Sequence, residues 1–235
     1  MVHMKVSVVI PALNEEKYIG YAFEGLKRQS FKDFEVIVAD AGSIDKTREI
    51  ARKNGAKVVI ERRKGIARGR NAGAKVAKGD ILIFLDADTK PSPRLIESYV
   101  KHLKGSVVAA TGPILPLEKT KRSITWGYKF VSILFVKLAI KIGRPTIVGS
   151  NFAVRRSIFE KVGGFDSNLM TYEDWDLSKR LKKYGKIIYI DDAVVYTSAR
   201  RIFAWGIRGF FNFHVWNMIR YNLFKKPKEE YEPIR

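Results

Sequence analysis

Ile81-Leu82-Ile83-Phe84-Leu85-Asp86-Ala87-Asp88 is five apolar residues without a break, closed by two carboxylates with one small residue between them. A run this short and this apolar suits a strand covered on both faces, because a half-exposed strand alternates. In open α/β sheets ligands are taken outside the carboxyl ends of the strands, so Asp86 and Asp88 stand where a site is expected. Crowded carboxylates repel, and a hard divalent cation shared with phosphate oxygens relieves that repulsion while stabilising a departing phosphate.

Upstream, strand and helix patterns alternate. Val6-Ser7-Val8-Val9-Ile10 and Glu35-Val36-Ile37-Val38-Ala39 read as strands, Val58-Val59-Ile60 as a shorter one, and residues 15–29, 45–53 and 67–77 as helices. This alternation predicts βαβ units in a mostly parallel sheet flanked by helices, an α/β fold with Asp40 at another strand end. Downstream the pattern is less regular. Strands are expected near 107–111, 147–154, 187–190 and 194–196, helices over 120–142 and 174–183, and an aromatic-rich helix from 201 to 223 before a polar tail at 227–235.

The chain has 235 residues, room for one sizeable α/β domain, and its hydrophobic fraction of 46% excludes wholesale disorder. With no cysteine there is neither a disulfide framework nor a Cys-ligated metal. Lys and Arg number 44 against 24 Asp and Glu, a net charge of +20 that calls for a polyanionic partner: nucleic acid, nucleotide phosphates or an anionic membrane face. Met4-Lys5 leads straight into a strand pattern rather than an apolar leader, so the expected location is cytoplasmic.

Further groups can carry chemistry. Asp40, before the helix-capping candidates Ser43 and Asp45, can accept a hydrogen bond from a nucleobase N–H or a ribose hydroxyl. Arg62-Arg63-Lys64-Gly65 and Arg68-Gly69-Arg70-Asn71 suit a phosphate-bearing ligand, yet neither GxxxxGK[ST] nor GxGxxG occurs. Glu173-Asp174 opens a helix, where one carboxylate can act as a general base towards an acceptor hydroxyl.

Taken in order, Val8-Val9-Ile10-Pro11-Ala12-Leu13-Asn14-Glu15-Glu16, Asp40-Ala41-Gly42-Ser43-Ile44-Asp45, Ala67-Arg68-Gly69-Arg70-Asn71, Phe84-Leu85-Asp86-Ala87-Asp88, Gly163-Gly164-Phe165-Asp166 and Glu173-Asp174 resemble family 2 glycosyltransferases over roughly residues 5–200. The resemblance implies a GT-A fold and inverting sugar transfer from a nucleotide-diphospho-sugar donor, with Mg²⁺ or Mn²⁺ at Asp86 and Asp88. By the same resemblance Pro11, Ala12, Asn14 and Glu15 line the nucleoside pocket and Asp40 meets base or ribose. Arg70, Asp86, Ala87 and Asp88 face the donor, and Asp174 is the base with Glu173 supporting it. Ala41 stands where such families often carry a second Asp, and no Gln-x-x-Arg-Trp follows Asp174, which favours single transfers over polymer synthesis. The alternatives are a basic nucleic-acid-binding protein, against which no recognition motif is present, and a sugar nucleotidyltransferase, whose glycine-rich loop after the first strand is missing.

Residues 125–141 are apolar but interrupted by Lys129, Lys137 and Lys141, and residues 202–224 mix Trp205, Phe210 and Trp216 with Arg208 and Arg220. Both read as helices lying in a membrane interface with basic side chains snorkelling. The expected organisation is therefore a glycosyltransferase domain over 4–200 and an amphipathic tail over 201–235, peripheral on the cytoplasmic face. The expected acceptor is polyprenyl- or lipid-linked, with Arg200 and Arg201 at a phosphate and no nucleic acid bound.

Overall fold

The computed structural model describes residues 5–224; residues 1–4 and the polar tail expected at 227–235 lie outside the described residues. So do the side chains of Phe210, Phe211, Phe213, Met218 and Ile219 in the last helix.

The apolar pentad is strand β4 (Ile81–Leu85), and it lies inside a seven-stranded sheet. Around it are β1 (Val6–Ala12), β2 (Phe34–Asp40), β3 (Lys57–Ile60), β6 (Val107–Thr111), β8 (Asn151–Arg155) and β9 (Lys186–Tyr189), in the order β3-β2-β1-β4-β8-β6-β9. Every residue of β4 is buried, and the two faces feed different cores. Ile81, Ile83 and Leu85 join Val8, Ile10 and Leu95 on one side, while Leu82 and Phe84 join Val9, Phe152 and Leu177 on the other. The period of two thus survives inside a strand with no polar face.

Three of the intervening helices match the upstream reading in place, though shorter: α1 (Ile19–Lys27), α2 (Thr47–Lys53) and α3 (Ile66–Lys75). The sheet is parallel from β3 through β4, then β8 enters antiparallel to both β4 and β6. Its pairing sets Phe84 against Phe152, whose rings stack at 4.8 Å, and Leu85 against Asn151. Because β8 runs backwards, the residues just before it arrive beside the carboxyl end of β4.

Of a second sheet only the strand expected near 194–196 was read from the sequence. Strands β5 (Thr89–Pro91), β7 (Ile114–Pro116) and β10 (Val195–Thr197) form it in the order β5-β10-β7. Each has three residues, and the two that were not foreseen, β5 and β7, contain proline, too little for periodicity to register. Helix α4 (Leu95–His102) lies between the two sheets' strands in sequence.

The expected helix over 120–142 is α5 (Arg122–Lys129), a π-helical stretch (Phe130–Phe135) and α6 (Val136–Lys141). At the widened turn the Ser132 hydroxyl bonds the Tyr128 carbonyl at 2.7 Å and both backbone groups of Ile114, a competitor for helical hydrogen bonds. Helices α7 (Arg156–Lys161), α8 (Glu173–Leu181) and α9 (Arg200–Phe224) complete the chain, α9 broken at Gly206.

Candidate active site

Four segments meet at the carboxyl ends of β1, β2 and β4. The first is the turn after β1, where Asn14 adopts a left-handed conformation (φ 53°), which asparagine tolerates. Its N–H donates to Ser43 Oγ at 2.9 Å and its Oδ1 accepts from the Ile44 N–H at 2.8 Å; the Glu15 N–H donates to Thr47 Oγ1 at 2.7 Å. Asn14 and Glu15 therefore tie their own turn to the loop after β2, with Pro11 and Ala12 in the strand behind.

In that loop Asp40 is fully buried, and its Oδ2 accepts the Gly42 and Ser43 N–H groups at 3.0 and 2.9 Å. Its Oδ1 is buried with no hydrogen-bond partner. A buried carboxylate oxygen without a donor is costly, so this atom is an acceptor that the protein leaves unmatched.

At the end of β4, Asp86 and Asp88 diverge. Asp86 Oδ1 accepts from Arg70 Nη2 at 2.9 Å. Asp88 turns one oxygen to the hydroxyls of Thr89 and Thr197, at 3.4 and 3.3 Å, and the other to Arg200 Nη2 at 3.1 Å. Burial, helped by the charges of Asp86 and Glu15, pushes the Asp88 carboxyl up to about 6 against the pull of Arg200 and Arg201. Among the described residues no three acidic or histidine side chains are grouped to hold a metal. Each carboxylate is held by an arginine here, Asp86 by Arg70 and Asp88 by Arg200; as oxygen donors at one strand end they are of the kind that Mg²⁺ and Mn²⁺ take, with further oxygen ligands completing the shell.

Arg70, expected against the donor, is instead buried with a side-chain exposure of 2%. It bridges Asp86 and Glu173, whose Oε1 accepts from Nη1 at 2.6 Å, and its guanidinium lies 5.4 Å from the Phe165 ring centre. A fork of two parallel donor groups allows one side chain to hold carboxylates from two segments at fixed separation. Gly149, just before β8, makes room for it: a Cβ there would sit 2.7 Å from Nη2.

The fourth segment is the start of α8. Tyr172, at φ 65°, turns the chain into the helix, and Glu173 and Asp174 occupy its first turn. Asp174 Oδ2 accepts the Gly149 N–H at 2.9 Å and Oδ1 accepts the Trp175 N–H at 2.7 Å. Burial raises the proton affinity of both acids; for Glu173 the Asp174 charge adds to it and Arg70 opposes it. At Asp174, Arg70 and the backbone N–H groups oppose the rise.

Helix α9 crosses this site. At its start Arg200 makes two bonds to the Glu15 carboxylate, 2.6 and 2.8 Å, and rests 4.4 Å from the Tyr18 ring centre. The preceding residues are held by Glu118, which accepts from Ser198 Oγ and the Ala199 N–H. Near its other end Tyr221 stacks on Tyr172 and donates to Asp176 at 3.2 Å. Arg201, also expected at a phosphate, lies close enough for its charge to act on Asp88. Glu118, Tyr18 and Gly149 had escaped the sequence reading; the local signal was a glycine inside the stretch expected as a strand, two residues before β8 begins.

The sequence profile of Glycosyl transferase family 2 matches residues 7–163, spanning β1 through α7. The chain belongs to that family. It is similar to glycosyltransferase AglE of Haloferax volcanii, 29% identical over 189 residues that cover 77% of this chain and 62% of AglE. It is also similar to O-antigen chain rhamnosyltransferase RfbN of Salmonella typhimurium, 30% identical over 206 residues, 82% of this chain and 66% of RfbN. The chain spans about half to two thirds of the length of these relatives and of the Bacillus subtilis probable glycosyltransferase YdaM, of which it covers 47%.

In fold it resembles mannosyltransferase PcManGT from Pyrobaculum calidifontis, solved with GDP-Man and Mn²⁺, with a TM-score of 0.69 at 20% identity over 92% of this chain and 65% of that one. S. aureus TarS, solved with UDP-GlcNAc, matches with a TM-score of 0.65 at 22% identity over 83% of this chain and 58% of that one. The GT-A fold expected from the motifs of this family 2 member is thereby borne out.

Proposed function

We propose that this family 2 chain transfers a sugar from a nucleoside diphosphate donor to a hydroxyl or phosphate acceptor, with inversion at the anomeric carbon. The Arg70 bridge carries the reading, because it joins the acid at the strand tip to the acid beside Asp174 and makes one cluster of two distant motifs. The unpartnered Asp40 oxygen takes the nucleoside. Asp174, its Oδ2 oriented by the Gly149 N–H, takes the proton of an acceptor hydroxyl, and its raised proton affinity suits it to do so. The deprotonated oxygen attacks from the face opposite the leaving diphosphate, which inverts the centre. Asp88, with Asp86, would hold a divalent cation, which would supply charge neutralisation for the departing diphosphate. The solved neighbours with GDP-Man and Mn²⁺ or with UDP-GlcNAc support this donor class.

The acceptor we propose is lipid-linked and met at the cytoplasmic face of an anionic membrane. Residues Arg122–Lys141 have the length and mean hydropathy, 1.3, of a membrane-crossing helix. However, Ile124, Ser132, Val136 and Ala139 seat one side of it on the domain, while Trp126, Phe130, Leu134, Leu138 and Ile142 are exposed at intervals of four along the opposite side. A helix fixed on one side and apolar on the other supports lying in the interface rather than crossing. Lys137, expected to snorkel, pairs with Asp191 at 2.5 Å and lies over the Tyr189 ring, fastening the helix to the domain instead.

The test is transfer from UDP- and GDP-sugars, with Mn²⁺, to polyprenyl phosphate and polyprenyl-linked glycans in anionic vesicles. Asp174→Asn is expected to lower turnover to a hydroxyl acceptor by roughly 10²–10⁴; undiminished turnover would remove it as the base. In flotation, anionic vesicles should retain the wild type and lose Leu134→Glu, and equal retention of both would refute the membrane face.

A further inference from the structure

Arg200 occupies a position that the established features of the site do not require of it. Its side chain is 11% exposed, forked onto Glu15, with Nη2 3.1 Å from Asp88 Oδ2. Asp88 Oδ1 faces the Thr89 and Thr197 hydroxyls, so Oδ2 is the oxygen left for a cation, and the guanidinium stands in front of it. The pose is also incomplete, because Arg200 Nε is buried without an acceptor. An arginine holding two carboxylates with one N–H group unmatched forgoes part of the hydrogen bonding that would offset its burial.

We propose that Arg200 is a resident counter-ion of the Asp88–Glu15 pair, and that a divalent cation reaches Asp88 by displacing it. This rests on the reading of Asp88 as a cation ligand. A cation on a carboxylate oxygen sits about 2.0–2.6 Å away, and a guanidinium on the same oxygen would leave two like charges in contact at a nearly buried site. One must go. Arg200 is the first residue of α9, so its departure frees the helix start from the strand-end carboxylates, up to the break at Gly206. Linkage makes the effect reciprocal: whatever weakens the hold of Arg200 tightens the cation. The cation's apparent affinity is its intrinsic affinity reduced by the fraction of molecules with Arg200 displaced.

The experiment measures Mn²⁺ binding to the full chain by electron paramagnetic resonance, without donor. Arg200→Gln is expected to tighten Mn²⁺ roughly tenfold or more, since the competing conformer is removed. Arg201→Gln deletes the same charge one residue away and is expected to change affinity by no more than about threefold, a screened Coulomb effect. Hydrogen exchange provides a readout that needs no variant: Mn²⁺ should accelerate exchange over residues 201–206 of the wild type, beyond the amides tied to Glu118 and Ser198. In Arg200→Gln the amides of residues 201–206 should be fast already and unresponsive. Equal effects of the two arginine substitutions, or unchanged exchange at the start of α9, would overturn the proposal while Asp88-dependent Mn²⁺ binding left the cation reading standing. Absence of Mn²⁺ binding even in Arg200→Gln, or binding indifferent to Asp88→Asn, would overturn both.

Discussion

Arg70→Met removes a buried guanidinium while keeping most of its length, and what it leaves behind sets the cost. Glu173 has a side-chain exposure of 8% and loses a 2.6 Å partner; Asp86, at 27%, is better able to turn to water. Deleting one member of a buried pair typically costs about 3–5 kcal/mol, because the other charge is stranded. For a domain of this length that is a fall in Tm of about 6–20 °C. The stranded Glu173 can escape by taking a proton, and burial with the Asp174 charge already favours that. Its protonation relieves the variant more at low pH, so the loss should be larger at pH 8 than at pH 6. The double variant Arg70→Met/Glu173→Gln has no charge left to strand at that position and should regain about 2 kcal/mol. Denaturant titrations of the three proteins at both pH values measure all of this. A single-variant cost under about 1 kcal/mol, the range of exposed pairs, or a double variant no more stable than Arg70→Met, would refute the bridge as a buried structural element.

Three other perturbations follow from the same geometry. Gly149→Ala puts a methyl 2.7 Å from Arg70 Nη2, with Phe165 on that guanidinium too; overpacking should cost about 1–3 kcal/mol, and transfer should fall with stability, whereas a variant of wild-type Tm and turnover would show the pocket to be slack. Asp40→Asn keeps the side-chain shape but loses the charge-assisted acceptor at Oδ1; affinity for UDP or GDP by calorimetry should fall by roughly ten- to a hundredfold, and unchanged affinity for both would place the nucleoside elsewhere. Tyr99→Phe leaves Asn151 Oδ1 without its 2.7 Å donor, for about 1–2 kcal/mol at pH 7. Burial holds the Tyr99 hydroxyl well above its ordinary 10.0, so its contribution is complete below pH 10 and is lost as pH rises beyond it. The deficit of Tyr99→Phe should therefore shrink above pH 10, and a constant deficit would contradict the sign.

The parallel half of the sheet was legible because each strand there is a local statement. Ile81–Leu85 is apolar throughout and Val6–Ala12 nearly so, helices of ordinary length separate them, and the acids at their ends needed no distant information to be noticed. Reading failed where the chain departs from that rhythm. Thr89–Pro91 and Ile114–Pro116 become strands only because Val195–Thr197 comes between them. The lysine at 137 looked like a membrane group because its partner, Asp191, is 54 positions on, by the numbering.

The sequence by itself determined the family, the positions of the sheet's parallel strands and which acidic residues stand at their tips. Local apolar periodicity and short motifs encode these within a few residues. Only the tertiary structure decided which charges meet: Arg70 with Glu173, 103 residues apart, and Arg200 with Glu15, 185 apart. Those encounters depend on the reversed direction of β8, which brings Gly149 up to Arg70 and Asp174, and on the path of α9 across the strand ends. Neither is written in any window of sequence, since the free energy that selects them is shared among side chains far apart along the chain.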